Sequence, residues 1–190
     1  MALADELADP ALAALVGQDF RVMSRAFLAW TLSLLGDQDR GAELAAETAA
    51  IARQRAHPPD LAFALAIDAL CAGIRRDADT ARRDADEGLR LASEHGFPMF
   101  AAMHAMHRGW ARAEDGDPEE GIAELRAGLA AFEAAGARML RSWLLLLLAR
   151  ACRLAGHDAD ALQAVDEALA EVTRCWDVEL EELRRELVST

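Results

Sequence analysis

His104 and His107 stand three residues apart in the stretch from Pro98 to Arg112, a spacing that puts both imidazoles on one face of a helix. Two such rings can share a metal ion or relay a proton. No third ligand follows nearby, and zinc sites carried on a helix usually come as HExxH or with further ligands, so a structural pair is the commoner explanation and no metal or other cofactor is expected. His57, His95 and His157 fall at predicted helix ends, where a C-terminal dipole or a turn accounts for them. Asp77, Asp79, Asp84 and Asp86 form a carboxylate cluster resembling a calcium loop, but Ala81 stands where an acidic ligand belongs and Arg82 where glycine is required. They are read as helix N-terminal charges and a solvated face. No GxSxG elbow is present, and among 33 acidic side chains no pair singles itself out as a general acid and base. Catalytic residues are therefore not assigned, and the balance leans away from an enzyme.

The elements that must carry these residues are helices. Hydrophobic residues make up 53% of the 190 positions while aromatics are only 5%, so alanine and leucine supply most of the apolar content and strand formers are scarce. The basic side chains are all arginine, and asparagine and tyrosine are absent as well; the codons of all three missing types are rich in A and T, which marks a high-GC bacterial genome. A net charge of −13 opposes nucleic acid, whose phosphates are held by clustered cations. The longest strongly apolar run, Trp143 to Ala149, is far shorter than the roughly 20 residues that cross a bilayer, so no membrane partner is expected. Met1 to Pro10 is acidic and lacks the basic and apolar parts of a secretory leader. Cys71, Cys152 and Cys175 form no CxxC pair and are expected as reduced, buried thiols of a cytoplasmic protein.

Shifted by 40 residues, the chain matches itself at Gly36-Asp37, Arg76-Asp77, Gly116-Asp117 and Gly156-His157, each following an apolar helical stretch. Glycine suits a left-handed helix end and aspartate can cap the next helix. Gly41, Ala81, Gly121 and Ala161 recur just beyond, where small size lets a second helix approach the first. Leu89, Leu129 and Leu169 keep the same register, and Pro58 and Pro98 are also 40 apart. The spacing predicts helix pairs at 20–35 and 38–55, 59–75 and 78–95, 98–115 and 118–135, 138–155 and 158–174. One all-α domain is expected over 1–190, an antiparallel helix-pair solenoid with an N-terminal cap (1–18), four helix pairs (19–175) and a C-terminal capping helix (176–190).

The stretch Arg108-Gly109-Trp110-Ala111, the turn Asp115-Gly116-Asp117-Pro118-Glu119-Glu120-Gly121 and Leu125-Arg126-Ala127-Gly128-Leu129 resemble tetratricopeptide repeats. Similar phrases are Ala29-Trp30, Glu94-His95-Gly96-Phe97-Pro98 and Trp176-Asp177-Val178-Glu179-Leu180. More narrowly they resemble the C-terminal helical-repeat regions of bacterial signalling ATPases fused to adenylate cyclases or LuxR-type DNA-binding domains. Their phosphate loop, GxxxxGK[ST], and basic recognition helix are absent from these residues. The period is longer than the usual repeat of about 34 residues, which implies longer helices.

The resemblance implies a regulatory or protein-interaction module whose first helices line a concave side. Its inward positions fall on Met23, Ala26 and Trp30; Phe63, Ala66 and Leu70; Met103, Met106 and Trp110; and Trp143, Leu146 and Arg150. A groove so lined suits an apolar small molecule or the apolar face of a peptide or partner protein, with Arg150 and Arg153 placed to meet a carboxylate at one end. Packing between the helices is the commoner use of such a stripe. Two other functions are weighed beside binding: an enzyme using His104 or His107 as acid–base groups in an apolar pocket, and a homodimeric scaffold closed through the groove or an apolar end face.

Overall fold

The computed structural model of the chain describes residues 17–171 and 175–188. The expected N-terminal cap lies, except for its last two residues, outside the described residues. Nine helices follow one another with no strand among the described residues: α1 (Phe20–Leu34), α2 (Gln38–Arg55), α3 (Pro58–Ile74), α4 (Ala78–His95), α5 (Pro98–Glu114), α6 (Pro118–Ala134), α7 (Arg141–Leu154), α8 (Asp158–Leu169) and α9 (Asp177–Val188).

The punctuation of the sequence acts as its chemistry dictates. Pro58, Pro98 and Pro118 sit in the first helical turn, where a missing N–H costs nothing. Gly36, Arg76, Gly116 and Gly156 all have positive φ (91°, 59°, 99° and 75°). In each case the next N–H reaches back to a carbonyl five residues earlier, as from Asp77 to Ala72 and from His157 to Cys152, closing the helix end. Asp77 accepts from the Thr80 N–H as a cap, but Asp37 and Asp117 make no side-chain cap; Asp117 pairs with Arg112 instead. Small residues beyond the turns are demanded by backbone. A Cβ on Gly121 would lie 2.5 Å from the Gly109 carbonyl oxygen, and one on Gly41 would lie 2.9 Å from that of Ala29.

The fourth pair departs from the predicted spans. No proline starts its first helix, Gly136 turns the chain at φ 76°, and residues 137–140 run as a loop, so α7 begins at Arg141 rather than 138. Arg141 fastens that start by ion pairs to Glu133, Glu167 and Glu171. Helix α8 closes at Leu169 rather than 174, and residues 172–174 lie outside the described residues.

Packing is tightest along the first helices. Helix α3 is buried almost all round from Ala62 to Gly73, and α7 from Ser142 to Cys152. In an ideal solenoid each repeat touches only its neighbours. Here the fourth repeat reaches the second: a Cβ on Gly73 would meet the Trp143 ring at 2.7 Å, and Arg150 donates to the Gly73 carbonyl. At the far end α9 lays Leu180, Leu183 and Leu187 on the core, and Trp176 lies 4.4 Å from Trp143, ring centroid to ring centroid. Cys71 and Cys152 are buried, and burial pushes both thiols up to about 11, whereas Cys175, expected to be buried, is exposed.

Candidate functional site

The long-range contact between repeats two and four divides the expected groove. Leu70, Met106, Trp110, Trp143 and Leu146 are fully buried; they pack between helices and line no open surface. The reason is steric: Gly73 lets both Trp143 and Trp110 close over α3, filling the concave side at that level. What remains open lies on either side of this plug.

At the N-terminal halves of α3 and α5, against α1, is an apolar cavity of about 360 Å³. Met23 and Trp30 come from α1, Phe63 from α3 and Met103 from α5, as the inward positions implied. Helical spacing brings more: Phe27 lies one turn from both Met23 and Trp30, Ile67 one turn from Phe63, and Met99 and Phe100 one turn before Met103. Phe132 and the loop 137–140 make the far wall, with Met99 and Met139 exposed at the rim. The rings form a continuous series, Trp30 to Phe27 at 6.2 Å, Phe27 to Phe63 at 5.5 Å and Phe63 to Phe100 at 6.5 Å, within the range of favourable aromatic pairs. Phe27, Ile67 and Phe100 were legible by helical spacing from the residues named; the loop wall was not, because it depends on where α7 starts.

Arg150 and Arg153 line a separate cavity of about 390 Å³ at the C-terminal ends of α3, α5 and α7, closed by α9. Arg153 is paired with Glu186 of α9. Arg150 is 9% exposed, its guanidinium 5.7 Å above the Trp143 ring and 3.5 Å from the Gly73 carbonyl oxygen. Burial and the charge of Arg76 bring it down to about 10, still protonated at neutral pH.

The histidines face neither cavity. His107 donates from Nδ1 to the Met103 carbonyl at 2.9 Å and accepts at Nε2 from the Trp143 Nε1–H at 3.1 Å, which assigns the neutral Nδ1–H tautomer. His104 donates from Nε2 to the Ala62 carbonyl at 3.1 Å, its ring lying flush on Gly88. Both are fully buried; desolvation brings His107 down to about 4, and desolvation together with His107 brings His104 down to about 3. An acid–base role requires access to substrate, and these rings have none. The acidic cluster is corrected in one member: Asp84, expected on a solvated face, is 1% exposed and paired with Asp68 across α3 and α4, while Asp79 and Asp86 are exposed. Among the described residues no three His, Cys, Asp or Glu side chains gather as a metal site, and no helix is long and apolar enough to cross a membrane.

Comparison with known proteins agrees on the fold. No family model matches the chain, and no curated protein is similar to it. Among solved structures it is similar to the apo form of RapI, at a TM-score of 0.56 and 15% identity over 82% of this chain. It is also similar to the nearly identical TPR-like repeats of a Podospora anserina kinesin light chain, at 0.58 and 16% over 89% of this chain and 94% of that one. A point variant of those repeats matches at the same score over 93% of its own chain. The chain spans 57% of the length of RapI. The fold is thus a TPR-like helical-repeat solenoid.

Proposed function

We propose that the chain is a non-enzymatic binding module of regulatory type, which captures an apolar group in the cavity between α1, α3 and α5. The group is a side-chain face of a peptide or partner protein, or an apolar small molecule. One observation carries this reading: three successive first helices leave their aromatic and methionine side chains around an unfilled volume of about 360 Å³ instead of closing on one another as α3 and α5 do further along at Leu70, Met106 and Trp110. Such a concave apolar surface with a methionine rim adapts to more than one shape. The likeness of the repeats to those of bacterial signalling ATPases and LuxR-type regulators supports a regulatory setting in the cytoplasm, where capture is passed to a partner.

Trp30 is the test. The other three tryptophans are fully buried, while Trp30 is half-buried in the cavity wall. Native mass spectrometry of gently purified protein should retain an apolar compound or peptide, and its return to emptied protein should shift Trp30 fluorescence saturably. Replacing the rim residue Met99 by Glu should weaken that binding at least about tenfold by placing a charge at an apolar mouth, with the helical circular dichroism unchanged. A cavity that stays empty, or Met99→Glu binding undiminished, contradicts the proposal.

A further inference from the structure

The second cavity carries charges that packing does not require. Arg150 is nine-tenths buried, and among the described residues it makes no ion pair. A desolvated cation costs several kcal/mol when unpaired. A 3.5 Å contact to one carbonyl, the face of Trp143 and the more distant charges of Glu179 and Glu114 offset part of this, but none of them closes an ion pair on the guanidinium. Beside it stands Arg76, at the left-handed turn position that the other three copies fill with Gly36, Gly116 and Gly156. A side chain there costs roughly 1 kcal/mol relative to glycine, and Arg76 makes no ion pair among the described residues either. The repeat therefore departs from its preferred residue at the turn position whose own side chain lines this cavity.

The opposite wall belongs to α9. Glu179 and Glu182 face the cavity without an ion pair among the described residues, and Glu114, which accepts from the Trp110 Nε1–H at 3.1 Å, lies between the walls. Leu183 gives the space an apolar side. With Arg153 and Glu186 paired to each other, a plain anion would still meet the carboxylates of Glu114, Glu179 and Glu182, and a plain cation the guanidiniums of Arg76 and Arg150. A molecule bearing both charges satisfies both walls. We propose that this cavity binds an apolar zwitterion, a leucine-type α-amino acid or dipeptide, its carboxylate held by Arg76 and Arg150 and its ammonium by Glu179 and Glu182. The volume, about 390 Å³, lies within the range of small-molecule sites, about 300–1,000 Å³. The two cavities share no lining residue, so this site is independent of the apolar one.

The probes are L-leucine and L-leucyl-L-leucine, compared by thermal shift and calorimetry with their N-acetyl and C-amide forms and with inorganic phosphate. The free zwitterion should raise the melting temperature, and blocking either end should weaken binding by about tenfold, the worth of a charged hydrogen bond. Arg150 is buried, so Arg150→Gln is set aside in favour of Arg76→Gly, which restores the residue of the other turns. That variant should melt at the same or a higher temperature when empty and bind the zwitterion about tenfold more weakly. The proposal is overturned if neither free probe binds at millimolar concentration, if phosphate or the N-acetyl forms bind as well as the free probes, or if Arg76→Gly binds undiminished.

Discussion

His107 shows how a reactive side chain becomes a structural one. Its two nitrogens are used by the Met103 carbonyl and the Trp143 indole N–H, so protonation would turn the Nε2 acceptor into a second donor facing an N–H. With its folded value near 4 and an unfolded value near 6.5, the stability it contributes is complete above pH 6.5 and is lost as pH falls through about 4. His104, held near 3, adds to the same limb. Imidazole 15N spectra should accordingly show His107 neutral and Nδ1-protonated from pH 8 down to 5. Replacing His107 by Phe should cost about 1–3 kcal/mol at pH 7, because the Trp143 N–H loses its acceptor in the core. The three-residue spacing to His104 was visible in sequence, as was a carbonyl one turn before His107; the partners from outside α5, Trp143 of α7 and Ala62 of α3, stand 36 and 42 residues away.

At the scale of elements, the α3–α4 contact holds a pair of acids that no spacing rule reveals. Asp68 and Asp84 are both buried, and Asp84 accepts from the Arg83 Nε–H with one oxygen while its other has no N–H partner. A protonated Asp68 supplies the missing donor, and its carboxyl is pushed up to about 7, first by burial and then by Asp84. A raised acid stabilises the fold fully below its unfolded value near 4 and loses that contribution as pH rises to about 7. Asp68→Asn donates permanently and keeps it. The variant should therefore be more stable than the parent at pH 8, by about 1–3 kcal/mol, and show no advantage at pH 4, as read from urea denaturation. The apolar periodicity of α4 could not forecast this, since an acid inside a helix pair looks like an acid on its surface until the neighbouring helix is placed.

Over the whole molecule, the plug of Trp143 on Gly73 joins the fourth repeat to the second and seals the middle of the concave side. Trp143→Ala should cost about 3–5 kcal/mol. It should also split one unfolding transition into two in calorimetry, because Trp143 packs at a tilt on Trp176 of the C-terminal cap and hydrogen-bonds His107 of α5 as well as closing on α3. A single transition at a slightly lower temperature would show that nearest-neighbour packing suffices.

The helix pairs and most of their ends were legible in the chain of residues, because turn glycines, prolines at first helical positions and small residues at close approaches act within a few residues of where they stand. The resemblance of the repeats put Met23, Trp30, Phe63 and Met103 among the inward positions, and these four line a cavity. Which inward residues stay reachable was decided by tertiary structure alone. That depends on how far one helix leans over its second neighbour, which is set by the size of a single residue, Gly73, and by the late start of α7, and neither changes the local periodicity. Arg150 stays beside Trp143 as helical spacing puts it, its guanidinium 5.7 Å from that ring, but the close packing of α3, α5 and α7 places it in a cavity apart from the one that Met23, Trp30, Phe63 and Met103 line.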